Sequence, residues 1–194
     1  MKPRTYIIVV FVLAFLGCCL FFSQYIGLVS MNEVVNQDWA DLDAQLRSRD
    51  DLIPDLISTV KVYAPDEEDV FTGITDNLGK LAVATTPSAK AEANEALTAA
   101  LGQLLAIAES CSELNTDKEF IRLQIELVDA EKRIEVSRKR YNENIEIYNM
   151  CTSGFLVSYV AGRIGFLPRA QFEPPRGSAE AHGEAEPTET ESVE

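Results

Sequence analysis

Chemistry in this chain must come from carboxylates, guanidinium groups and phenols, because its 194 residues include a single histidine, His182. That residue lies in the C-terminal tail. Its position removes histidine general bases, Ser-His and Cys-His nucleophiles and almost every zinc site. The densest charged group is Arg47, Arg49, Asp50, Asp51 and Asp55, gathered around Pro54. Three chemistries fit it: an ion-pair and capping cluster at a helix break, a recognition patch for a partner, or paired carboxylates for acid–base work. The first is favoured, with Asp50 or Asp51 capping a helix that reopens at Pro54. Mixed charge beside a proline is usually local, and neither a nucleophile nor a concave site accompanies the acids.

A second group is Arg138, Lys139 and Arg140, followed by Tyr141 and Asn142, with Tyr148 and Asn149 two helical turns on. It reads as a solvated basic face matched to Glu131, Glu135 and Glu143, or as a contact for anionic lipid headgroups. The first reading is preferred. Cys18 and Cys19 sit in an apolar run, which leaves Cys111 and Cys151. No catalytic residue, metal ligand or cofactor is expected, and the chain is read as a non-enzyme.

Charge bears on the partners. Seventeen Lys and Arg face 31 Asp and Glu, for a net −14. Residues 28–150 hold 12 basic and 24 acidic side chains. Such a surface repels phosphate backbones, so nucleic acid is excluded as a partner.

The elements that must position these side chains begin with a membrane anchor over residues 1–27. No charge occurs from Thr5 to Asn32, and Tyr6 to Phe22 is an unbroken run of 17 aliphatic, aromatic and small residues. A spanning helix needs about 20 apolar residues, and Tyr25 to Val29 extend the run to that length. A retained anchor is favoured over a cleaved signal peptide, whose apolar core is shorter, and over lipidation at Cys18. Lys2 and Arg4 precede the span, whereas Glu33, Asp38, Asp41 and Asp43 follow it. The positive-inside rule then predicts a cytoplasmic N-terminus and an extracytoplasmic body.

Residues 28–153 read as an all-α body. An apolar stripe in steps of three and four runs through Leu28, Met31, Val35, Trp39, Leu42, Leu46, Ile53, Leu56, Val60 and Tyr63, with Arg49 in its one polar slot. Pro54 predicts a kink or short break in this first helix, and the stripe keeps phase across it. Asp66 is the expected N-cap of a second helix, Pro87 or Ser88 opens a third, and Thr116 with Glu119 forms a capping box for a fourth. The fourth carries Phe120, Leu123, Leu127, Ile134, Tyr141, Ile145 and Tyr148 on one face. Four helices with short connections predict an antiparallel four-helix bundle with long first and last helices. On that geometry Cys111 and Cys151 lie about 50 Å apart and form no disulfide. Ile121, Ile125, Val128 and Val136 widen the apolar face of the last helix. A lone bundle accommodates them, and so does a homo-oligomer.

Residues 154–172 form a glycine-rich apolar segment whose Phe155, Tyr159, Phe166 and Leu167 are candidate membrane-proximal contacts. Residues 173–194 hold seven Glu and no Leu, Ile or Phe, and read as a disordered acidic tail.

Two stretches together resemble the LemA family of bacterial membrane proteins. The first runs from Trp39 through Arg47-Ser48-Arg49-Asp50-Asp51-Leu52-Ile53-Pro54-Asp55 to Tyr63-Ala64. The second is Arg138-Lys139-Arg140-Tyr141-Asn142-Glu143, Tyr148-Asn149 and Gly165-Phe166-Leu167-Pro168-Arg169. The resemblance implies one N-terminal transmembrane helix, a long helical bundle, no enzymatic activity and a place in the bacterial cytoplasmic (inner) membrane. It also implies work beside other membrane proteins, among them membrane metalloproteases. The resulting expectation is a single-pass, non-catalytic scaffold or adaptor of the cell envelope. The alternative is a lipid-binding or membrane-remodelling module that uses residues 154–167.

Overall fold

The computed structural model describes the backbone of residues 3–153 and 165–173, with the side chains of 3–10, 14, 18–21, 23 and 24 outside that description. Phe155, Tyr159 and nearly all of the expected acidic tail therefore lie outside the described residues. Those that are described form helices and no strand. In order they are α1 (Pro3–Asp50), α2 (Ile53–Tyr63), α3 (Glu68–Val83), α4 (Pro87–Ser110), a 3-10 turn (Leu114–Thr116) and α5 (Lys118–Ser153). Among the described residues no helix is long and apolar enough to cross a membrane. Most side chains of the Tyr6–Phe22 run are outside them.

Of the kink or short break expected at Pro54, the chain takes the short break. Asp51 and Leu52 form a turn, with the Asp51 amide donating to the Arg47 carbonyl at 3.0 Å and the Leu52 amide to that of Arg49 at 3.0 Å. Pro54 then falls in the first turn of α2, where its missing N–H costs nothing. Two other expected helix starts are displaced. α3 opens after Glu67, which makes no side-chain cap, and not after Asp66; Glu68 and Asp69 still place charge at its positive end. α5 is capped by Asp117, whose Oδ1 accepts from the amides of Glu119 at 2.8 Å and Phe120 at 2.9 Å. Thr116 belongs to the preceding 3-10 turn and donates its hydroxyl to the Glu113 carbonyl at 2.8 Å, so no capping box forms. The α4 start is as expected: Thr86 accepts from the Ala89 amide at 3.2 Å, and Pro87 takes the first helical position.

The chain divides into two compact units, Met1–Leu52 with Ile125–Gln171, and Ile53–Gln124 with Phe172–Glu194. α5 contributes its first turns to the second unit and the remainder to the first. In the second unit α3 packs on α4, burying Ile74, Leu81, Leu97, Leu101 and Leu104. The Asn77 amide donates to the Ala96 carbonyl at 3.3 Å. Tyr63 at the end of α2 donates its hydroxyl to Asp117 Oδ2 at 3.0 Å.

In the first unit α1 and α5 run antiparallel. Arg49 meets Glu131, Gln45 meets Arg133, Asp41 meets Arg140 and Asp38 meets Asn144, so one number falls as the other rises. Between them lies the predicted seam. Val35, Leu42, Leu46, Ile134, Tyr141, Ile145 and Tyr148 are buried, each worth about 1.5–3 kcal/mol against exposure. Ile125, Val128 and Val136 are exposed, as is Ile121 in the second unit, so the fold of the single chain does not cover them.

Candidate functional site

The two charged groups picked out in the sequence lie in the first unit, apart from Pro54 and Asp55, which open α2. Arg49 occupies the seam slot that its neighbours in the stripe fill with aliphatic groups, and it is wholly buried. A buried guanidinium requires carboxylate partners. Its Nη1 donates to Glu131 at 3.1 Å and its Nη2 to Asp50 at 3.0 Å. Burial pushes the Asp50 carboxyl above the usual aspartate range, and the attraction of Arg49 only partly opposes that rise. Asp50 Oδ1 thus serves Arg49 instead of the amides of α2, which corrects the capping role expected of it.

The rest of that group is peripheral to Arg49. Arg47 pairs along the helix surface with Asp43 at 2.7 Å, and Asp51, Pro54 and Asp55 are exposed. Asp55 contributes its carbonyl, which accepts from the hydroxyls of Ser58 and Thr59, both at 2.9 Å.

Arg140 does not join the acids of its own helix. It reaches α1, with Nε on Asp38 at 3.1 Å and Nη2 on Asp41 at 3.0 Å. Asp38, largely buried, also accepts from Asn144 at 2.6 Å. The expected match to Glu131, Glu135 and Glu143 fails for Arg140 because the antiparallel partner presents carboxylates closer to its reach.

Tyr141, Tyr148 and Asn149 share a different task, because the chain from Gly165 to Ala170 comes back along the α1–α5 pair as an extended strap. Gly165 starts it at φ +90, a backbone region that side chains disfavour. The Tyr148 hydroxyl donates to the Leu167 carbonyl at 3.2 Å and the Tyr141 hydroxyl to the Ala170 carbonyl at 3.2 Å. Asn149 reads the backbone of Arg169 in both directions, donating to its carbonyl at 2.9 Å and accepting from its amide at 2.8 Å. The Arg169 guanidinium then clamps the strap to α1, giving Nη1 to Asn36 at 2.6 Å and Nη2 to Asn32 at 2.7 Å, and it lies 5.7 Å from the Tyr148 ring centre. Trp39 packs on Tyr141 with ring centres 5.3 Å apart. Burial holds the Tyr141 phenol above its ordinary pKa, so it remains a proton donor at neutral pH.

Within the first unit, the part of the first motif from Trp39 to Asp50 thus packs against α5, the helix that carries the second motif. Sequence reasoning named Tyr141, Tyr148 and Asn149 as candidates and quoted Arg169 only as part of a motif. It passed over Asn32, Asn36, Asp38 and Asn144. The one available signal was the spacing of Asn32 and Asn36, four apart and so on one helical face. Of the membrane-proximal candidates, Leu167 is exposed and Phe166 is half-buried against Tyr25.

Residues 38–184 match the model of the LemA family. No curated protein matches the chain.

Proposed function

The chain belongs to the LemA family, and from that premise we propose that it is a non-catalytic, membrane-anchored helical scaffold or adaptor of the bacterial cell envelope. The observation that carries the non-catalytic half is where its polar motif side chains are spent. Tyr141 and Tyr148 hold strap carbonyls, Asn149 and Arg169 hold each other, and Arg49 and Arg140 hold carboxylates of the same unit. An active site presents convergent polar groups to a substrate; these converge on the protein itself.

Support for the anchor comes from the uncharged stretch Thr5–Asn32 and from the exposure of Phe11, Val12, Leu13, Phe15 and Leu16 on α1. Phe11, Val12 and Leu13 are consecutive, so the exposed apolar surface is wider than the single stripe of an amphipathic helix. A lipid surround suits that pattern. The basic residues Lys2 and Arg4 favour a single pass of the inner membrane with the N-terminus cytoplasmic. The partners in this reading are other membrane proteins, engaged by the exposed surface of the helices.

Photo-crosslinking tests it. A photoreactive residue placed at exposed Ile125 or Val136 of the full chain should give discrete adducts in native membranes, and mass spectrometry should identify membrane proteins in them. Recovery of only lipid and abundant bystanders would argue against an adaptor.

A further inference from the structure

Two stretches of the first unit change from apolar to polar, and the fold brings both changes to one level. On α1, Phe22, Tyr25, Ile26 and Val29 are exposed, and Asn32 and Glu33 follow. On the strap, Phe166 and Leu167 are followed by Pro168 and Arg169. Arg169 Nη2 lies 2.7 Å from Asn32 Oδ1, which ties the polar side of one boundary to the polar side of the other. On the apolar side, the Phe166 ring meets Tyr25 edge-on at 6.5 Å, and Tyr25 meets Phe22 at 6.4 Å. Tyr148 fixes the height of the corner by holding the Leu167 carbonyl, while the Leu167 side chain stays 64% exposed.

Aromatic rings with amide and guanidinium groups just above them match the boundary between acyl chains and headgroups. Phe11, Val12, Leu13, Phe15 and Leu16 are also exposed on α1, spread over more than half of its circumference at about 100° per residue. A docked protein covers one side of a helix, whereas a bilayer covers all of them.

We propose that Phe22, Tyr25, Phe166 and Leu167 form a collar seated in the interfacial layer of the bilayer, with Arg169 at headgroup level. The strap is then a second membrane contact that sets the depth and tilt of the α1–α5 pair. This rests on the anchored reading, and the test separates the two.

Trp39 is the only tryptophan, so a Trp39→Phe background leaves the chain free for a single reporter. Leu167→Trp and, separately, Leu13→Trp are made in the full-length protein. Each is reconstituted into phosphatidylcholine vesicles containing lipids brominated at either a shallow or a deep acyl position. Both sites are exposed, so tryptophan fits at each without displacing core. The Leu167→Trp reporter should emit at shorter wavelength than in detergent-free buffer and lose more intensity to shallow bromines than to deep ones. The Leu13→Trp reporter should show the reverse preference. Quenching at 13 with water-like, unquenched emission at 167 overturns the collar and leaves the anchor intact. If neither reporter is quenched and the protein fails to float with the vesicles, both readings fall.

Discussion

Arg49 shows how a charged side chain comes to occupy an apolar seam: two carboxylates, from Asp50 and Glu131, go in with it. Removing one leaves the buried guanidinium short of a counter-charge, while replacing the cation removes the demand altogether. Glu131→Ala should therefore destabilise the protein by about 2 kcal/mol, and Arg49→Met, of similar length, by less. Urea unfolding of both variants checks the order; a costlier Arg49→Met would show the ion cluster to be a net stabiliser. Asp50 adds a pH signature. Its folded-state pKa is raised by burial, so the folded protein holds the proton more tightly than the unfolded chain. Ionising it is then unfavourable to folding, fully so above the folded pKa and not at all below the unfolded one. Relative to wild type, Asp50→Asn should gain stability as pH rises from about 4 towards neutrality, then level off. A difference that stays constant across that range would contradict the assignment.

The strap is the element held by Tyr141, Tyr148 and Asn149 of the second motif, and its attachment is local. Asn149→Ala strips partners from the Arg169 amide and carbonyl, at a cost of about 1–3 kcal/mol borne by the strap. Hydrogen exchange should accelerate at residues 165–172 and remain slow along α5. Uniform acceleration would mean that the strap unfolds only with the helices. The helices themselves were legible in sequence because side-chain burial at steps of three and four is a property of the residues. Caps and breaks were less so. Thr116 and Asp117 are both good caps, and only the 3-10 turn that takes up Thr116 decides between them. A proline stripe that keeps phase reads as a kink, whereas the turn at Asp51 and Leu52 makes it a boundary. The strap was hidden for a plainer reason. Tyr141, Tyr148 and Asn149 bind backbone groups, and a backbone carbonyl carries no residue identity by which a sequence could announce it.

At the scale of the whole molecule, a chain of net charge −14 holds, after Lys2 and Arg4, 28 residues, Thr5–Asn32, that carry no charge. In the anchored reading proposed above, the acidic body stays in water and the uncharged stretch, with Phe11, Leu13 and Phe15 exposed on α1, lies in lipid. Composition argues against histidine chemistry and against nucleic acid as a partner, while periodicity marks out the helices. Which proteins lie beside the chain depends on surface complementarity to molecules that its own sequence does not encode. The account's central claim is that the helical body is held at a bilayer by the first part of α1. Alkaline carbonate extraction of bacterial membranes carrying the full chain tests that claim most directly, because it strips proteins held by charge and leaves those embedded in lipid. The account predicts that the protein stays in the membrane pellet. Release into the supernatant would contradict it.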